Sequence, residues 1–131
     1  MMELQRVSAG SASSELASYS RAVRAGDFIF VSGAVARGED GRIKHCGNPE
    51  KQAELVLSRI SEALAKLNAT LDDVVETRVY VTDISQWEGV GRAHGSAFRH
   101  AQPATTLVQV SSLVAPEAMV EISAVALVRR Q

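Results

Sequence analysis

Between Pro103 and Val128 the chain reads PATTLVQVSSLVAPEAMVEISAVALV, two apolar runs on either side of a short link that holds Pro116. In the first run Thr106, Val108 and Val110 share one face of an extended strand, and Thr105, Leu107 and Gln109 share the other. The second run alternates in the same way. Val120, Ile122, Ala124, Ala126 and Val128 line one side, and Glu121 lies opposite with Ser123, Val125 and Leu127. An acid is thereby placed in an otherwise apolar central strand.

Upstream, residues 1 to 18 carry apolar Leu4 and Val7 among Ser and Ala, a pattern that predicts a short strand followed by a mobile loop. A second strand around Tyr19-Ser20-Arg21-Ala22-Val23 turns at Gly26-Asp27 into a strong third, Phe28 to Val31, which ends at Ser32-Gly33. A glycine directly after a buried strand lets a backbone or ligand come close. Gly38-Glu39-Asp40-Gly41 reads as the tip of a hairpin from Val35 to Ile43, and its glycines lack the spacing of a phosphate-binding loop.

The period then changes. Asn48-Pro49-Glu50 opens a helix as N-cap, first-turn proline and dipole-matched acid, and Ala53, Val56, Leu57, Ile60, Leu64 and Leu67 form its apolar side up to a left-handed stop at Asn68. Leu71 to Val81 reads as a strand with Val75, Thr77, Val79 and Val81 on one face and Glu76, Arg78 and Tyr80 on the other. A second helix starts near Asp83, with Gln86 placed as in a capping box. Trp87, Val90, His94 and Phe98 share one side of it, and Gly89, Gly91 and Gly95 are expected where it presses on a neighbour. His94 on that side reads first as a satisfied core histidine.

These elements make a single α+β domain over residues 1–131, with both helices on one face of a mixed sheet. No further helix remains for the other face, so self-association is the expected cover. Hydrophobic residues make up 46% of the chain and aromatic ones only 5%, which means a core of Val, Ala, Leu and Ile. A net charge of −1 provides no field for gathering phosphates, so nucleic acid is not an expected partner on electrostatic grounds. There is no leader pattern and no apolar run long enough for a membrane helix, so the expected location is cytoplasmic. Cys46 is the single cysteine, and with His45 it lacks a second ligand pair at metal-site spacing.

Glu121 admits two readings. One is an edge or interface carboxylate satisfied by an Arg or by backbone N–H groups, and the other is a general acid/base or water-orienting group in a cleft.

The chain resembles the RidA/YjgF proteins in Tyr19-Ser20 with Ala22-Val23, Phe30-Val31-Ser32-Gly33, the helix from Asn48, Leu71 to Val75, Tyr80 to Asp83, Pro103-Ala104, and Val120-Glu121-Ile122. The resemblance implies a chorismate-mutase-like fold, a homotrimer whose barrel lies at the sheet face without helices, and small-molecule clefts between subunits. It also implies hydrolysis of reactive imines and enamines to keto acids and ammonia, with no metal or organic cofactor. By the same resemblance Glu121 and Tyr19 are the catalytic candidates, and Ser32, Gly33, Thr105, Leu107 and His94 the substrate-binding ones. An Arg that holds the substrate carboxylate in the family corresponds here to Thr105, the usual Cys to Leu107, and an Asn and a Tyr on the second helix to Gly91 and His94. Three functions stay open at this point: a hydrolase of a small electrophilic metabolite, a ligand-binding or regulatory trimer, and, with least support, a ribonuclease.

Overall fold

The computed structural model describes residues 3–129. Strands β1 (Leu4–Val7), β2 (Ala22–Ala25), β3 (Phe28–Ala34), β4 (Val74–Val81), β5 (Ala104–Gln109) and β6 (Val120–Leu127) form one sheet in the order β1-β2-β3-β6-β4-β5. Every pairing is antiparallel except β4 with β5, whose parallel register needs a crossover. Helix α3 (Trp87–Ala97) supplies it. The sheet is mixed, and β6 lies between β3 and β4, in the central place its alternation predicts. Val120, Ile122, Ala124 and Ala126 are buried.

Helix α2 (Pro49–Ala65) opens as read, with Asn48 Oδ1 accepting the Lys51 N–H at 3.0 Å. Its side chains Val56, Ile60 and Leu64 are fully buried against β3 and β6, and truncating Ile60 or Leu64 to Ala would cost about 2–5 kcal/mol. The chain leaves it through Asn68, whose φ of 61° is the left-handed stop. Fully buried Gln52 interrupts this apolar side. It donates to the Glu117 carbonyl at 3.1 Å and accepts the Met119 N–H at 2.8 Å, tying α2 to the link before β6. Helix α3 packs beside α2 on the same sheet face, with Val90, Ala93 and Phe98 in the shared core.

The structure departs from the sequence reading at several places. The expected mobile loop after β1 holds a short helix, α1 (Ala12–Ala17), because Ser11 and Ser14 cap each other reciprocally. On β4 the inward position belongs to Val74, which is buried, and Val75 is exposed. A bulge between Val74 and Glu76 inserts one residue and reverses the parity upstream of it. The hairpin expected from Val35 to Ile43 is reduced to one bridge, Arg37 to Ile43. Asp83 caps a single 3-10 turn, Ile84–Gln86, ahead of α3, and Gln86 donates to the Asp83 carboxylate rather than completing a capping box.

Of the three helix glycines, only Gly89 is pressed against another element. A Cβ there would meet the Glu50 side chain of α2 at 3.0 Å, whereas Gly91 faces Trp87 of its own helix and Gly95 faces open space.

The sheet face away from the helices carries Phe28, Phe30, Arg78, Tyr80 and Val108. Phe28 and Phe30 stack with ring centroids 6.4 Å apart while 45% and 50% exposed. No helix in the described residues is long and apolar enough to cross a membrane.

Candidate functional site

The expected site residues form two groups, and the sheet stands between them. Because Val120 and Ile122 point toward the helices, Glu121 points away from them. Thr105 and Leu107 pair with Thr77 and Val79, both buried on the helix side, and so lie on the helix side themselves.

The first group is Tyr19, Ser32, Gly33 and Glu121. The register of β3 against β6 shifts between Val31 and Ala34, and this irregularity brings Gly33 under the Glu121 side chain. Ser32 Oγ donates to the Ser20 carbonyl at 2.7 Å, which fastens the β2 approach and leaves the oxygen as an acceptor. Arg21 joins this group. Its guanidinium donates to the Gly33 carbonyl at 3.0 Å and the Ser32 carbonyl at 3.3 Å, and it interacts with both Tyr19 and Glu121.

Among the described residues the Glu121 carboxylate has no hydrogen-bond partner. Burial pushes its pKa up, and the Arg21 charge opposes that only in part. Tyr19 is exposed, its hydroxyl 3.1 Å from Ser13 Oγ, and that hydrogen bond lowers its pKa.

The second group lies between α3 and the outer strand β5. Thr77 Oγ1, fully buried, stands 2.8 Å from His94 Nε2 and 2.9 Å from Thr105 Oγ1, which in turn donates to the Pro103 carbonyl at 3.2 Å. His94 also packs on Phe98, ring centroids 4.6 Å apart, and burial lowers its pKa, favouring the neutral ring. A cavity of about 480 Å³ opens here, lined by Thr105, His94, Leu107 and Gly91 with Trp87, Val79 and Ile84.

The core-histidine reading of His94 holds for its bonding, yet the ring also faces this cavity. Trp87, expected on the packed side of α3, is half exposed and forms a cavity wall. Sequence reading missed Thr77 as a site residue, although a threonine alternating with Val79 and Val81 on one strand face was the visible signal.

Known proteins resemble this chain in sequence and in fold. Residues 10–128 match the family described as Endoribonuclease L-PSP. A crystal structure of a member of the YjgF/YER057c/UK114 family from Mycobacterium tuberculosis is 43% identical with a TM-score of 0.86, covering 96% of this chain and 100% of that one. The chain belongs to the RidA/YjgF family.

The α+β fold described above is the family's chorismate-mutase-like fold. Among RidA/YjgF relatives, the 3-aminoacrylate deaminase RutC of Acinetobacter baylyi is 31% identical over 111 residues, 85% of this chain and 87% of that protein. The structure of RidA from an Antarctic Psychrobacter is 25% identical with a TM-score of 0.80, covering 94% of each chain.

Proposed function

We propose that this chain hydrolyses a small reactive imine or enamine in clefts shared between the subunits of a homotrimer, with Glu121 as the group that orients and deprotonates water. The carrying observation is Glu121 itself, a half-buried carboxylate without a hydrogen-bond partner among the described residues, held over a glycine with its pKa raised by burial. An enamine first takes a proton on its β-carbon to become the imine. Water then adds to the C=N carbon, its proton passing through Glu121 to the nitrogen that receives the π pair, which gives a carbinolamine. The hydroxyl proton next passes through Glu121 to the same nitrogen as the carbon–nitrogen bond breaks with its electron pair on nitrogen, so that a C=O bond forms and ammonia leaves.

Sharing between copies is supported by the sheet that separates Glu121 from Thr105 and His94, and by the exposed Phe28 and Phe30. The deaminase named among the relatives acts on a compound of this chemical kind. Ribonuclease activity, which the family description names, draws no support from a net charge of −1. A binding or regulatory role without turnover is the second reading. It is favoured by Thr105, an uncharged hydroxyl where the family resemblance implies a carboxylate-holding Arg.

Glu121→Gln decides between these. Turnover should fall by about 10² to 10⁴ while ligand affinity stays within about twofold. Mixing Glu121→Gln chains with Thr105→Trp chains should restore part of the activity that each lacks alone, because some clefts then receive two intact halves. Full activity in Glu121→Gln would overturn hydrolysis by this residue, and failure to complement would overturn the shared cleft.

A further inference from the structure

The cavity beside Thr105 carries no formal charge. With His94 neutral, its polar surface reduces to the Thr105 hydroxyl and the imidazole edge, and the remaining wall is Trp87, Leu107, Val79 and Ile84. Even these polar groups are largely committed, since Thr77 Oγ1 bridges His94 and Thr105 and Thr105 also meets the Pro103 carbonyl. Arg92 of α3 is paired with Glu50 at 2.9 Å, and Arg21 on the other half turns Nη1 to the Ser32 and Gly33 carbonyls while its charge faces the Glu121 carboxylate. A carboxylate entering here would surrender its hydration without gaining a counter-ion or a second donor.

We infer that the substrate is a neutral imine or enamine bearing no carboxylate on its C=N carbon, with an apolar substituent against Trp87 and Leu107 and one hydrogen bond to Thr105. This rests on the reading of Glu121 as the hydrolytic base, and it adds the class of molecule. The reaction balances without a further reactant: R(R′)C=NH and water give R(R′)C=O and ammonia, where R and R′ are carbon groups or hydrogen. The upstream reaction must oxidise or eliminate from an amine that has already lost, or never had, an α-carboxylate. The cavity volume of about 480 Å³ leaves room for an aryl or branched alkyl substituent.

Trp87 is the only tryptophan of the chain and stands in the cavity wall, so its fluorescence reports occupancy directly. The intact protein would be titrated with 4-phenylbutan-2-one and with 2-oxo-4-phenylbutanoate, product analogues that differ by methyl against carboxylate. The ketone should bind more tightly by about tenfold or more, and Thr105→Arg should invert the order. Equal or tighter binding of the oxo acid to the unmodified protein, or no response to either compound, would overturn the inference.

Turnover of the two matching imines, released in situ by an amine oxidase or an amino-acid oxidase, separates this inference from the reading beneath it. Glu121-dependent turnover that favours the carboxylate-bearing imine leaves the base in place and removes the substrate class. Preferential ketone binding, with neither imine consumed in a Glu121-dependent way, keeps the cavity's preference and removes the hydrolysis.

Discussion

Glu121 lays its carboxylate over the α-carbon of Gly33, with Oε2 only 2.5 Å from the point where a β-carbon would stand. The backbone of Gly33 needs no left-handed conformation, so the glycine is required by this close approach alone. The colliding atoms belong to the far end of a side chain that can swing aside. Gly33→Ala should therefore leave the melting temperature within a few degrees and displace the carboxylate, lowering turnover by about 10². Circular dichroism melts beside steady-state rates would test this, and a variant with normal turnover would show that the base acts from another position.

The same half-burial sets a pH dependence. Burial raises the Glu121 pKa from an ordinary value of 4.5, so the folded protein holds this proton to higher pH than the unfolded chain. Between the two values stability falls as pH rises, and above the raised value the loss is complete and constant. Glu121→Gln removes this loss and should be at least as stable as the parent at neutral pH. Turnover runs the opposite way, rising as the carboxylate ionises, with its acid limb centred above 4.5. Paired pH profiles of melting and kcat would check both signs, and a limb at or below the ordinary value would contradict the assignment.

On the open face, Phe30→Arg places a charge where the proposed trimer contact lies. Phe30 is half exposed in the single chain, so the chain itself should still fold. Sedimentation equilibrium should show about three times 14.0 kDa for the parent and a single-chain mass for the variant, with turnover lost because the two halves no longer meet. A variant that remains assembled would place the contact on another surface.

Gln52→Leu keeps the volume of the buried side chain and deletes both of its links to the β6 approach. Leaving the Met119 N–H without its acceptor should cost about 1–3 kcal/mol in denaturant unfolding. An unchanged midpoint would mean that water replaces the amide.

How much of this was readable in the chain depends on the range of the interaction. The alternation through Val120 to Val128 and the spacing from Ala53 to Leu64 report burial directly, so β6, α2 and the placing of Glu121 on the open face were legible. Asn68 was legible because its backbone conformation is a local preference. The parity of β4 was not, since the bulge at Val75 is settled by pairing with a strand some fifty residues later. Neither was the grip of Gln52 on Glu117 and Met119, more than sixty residues downstream. Likewise, Tyr19, Thr105, His94 and Glu121 could be named one at a time, but their division into two groups follows from strand order. Here the parallel pairing of β5 with β4 decided which way Thr105 points.

The grip of Gln52 on Glu117 and Met119 also bears on which length changes the link between β5 and β6 can absorb. Because the amide fixes the downstream end of that link, Glu121 is counted from Met119 and not from β5. Residues added near Val114, which is almost wholly exposed, should loop outward and leave the carboxylate in place. One residue added between Met119 and Glu121 would turn the acid toward the helices and bring an apolar neighbour out over Gly33, a half-turn of the strand from a single codon. Among homologous sequences, gaps should therefore fall before Glu117, and the spacing from there to Glu121 should not vary.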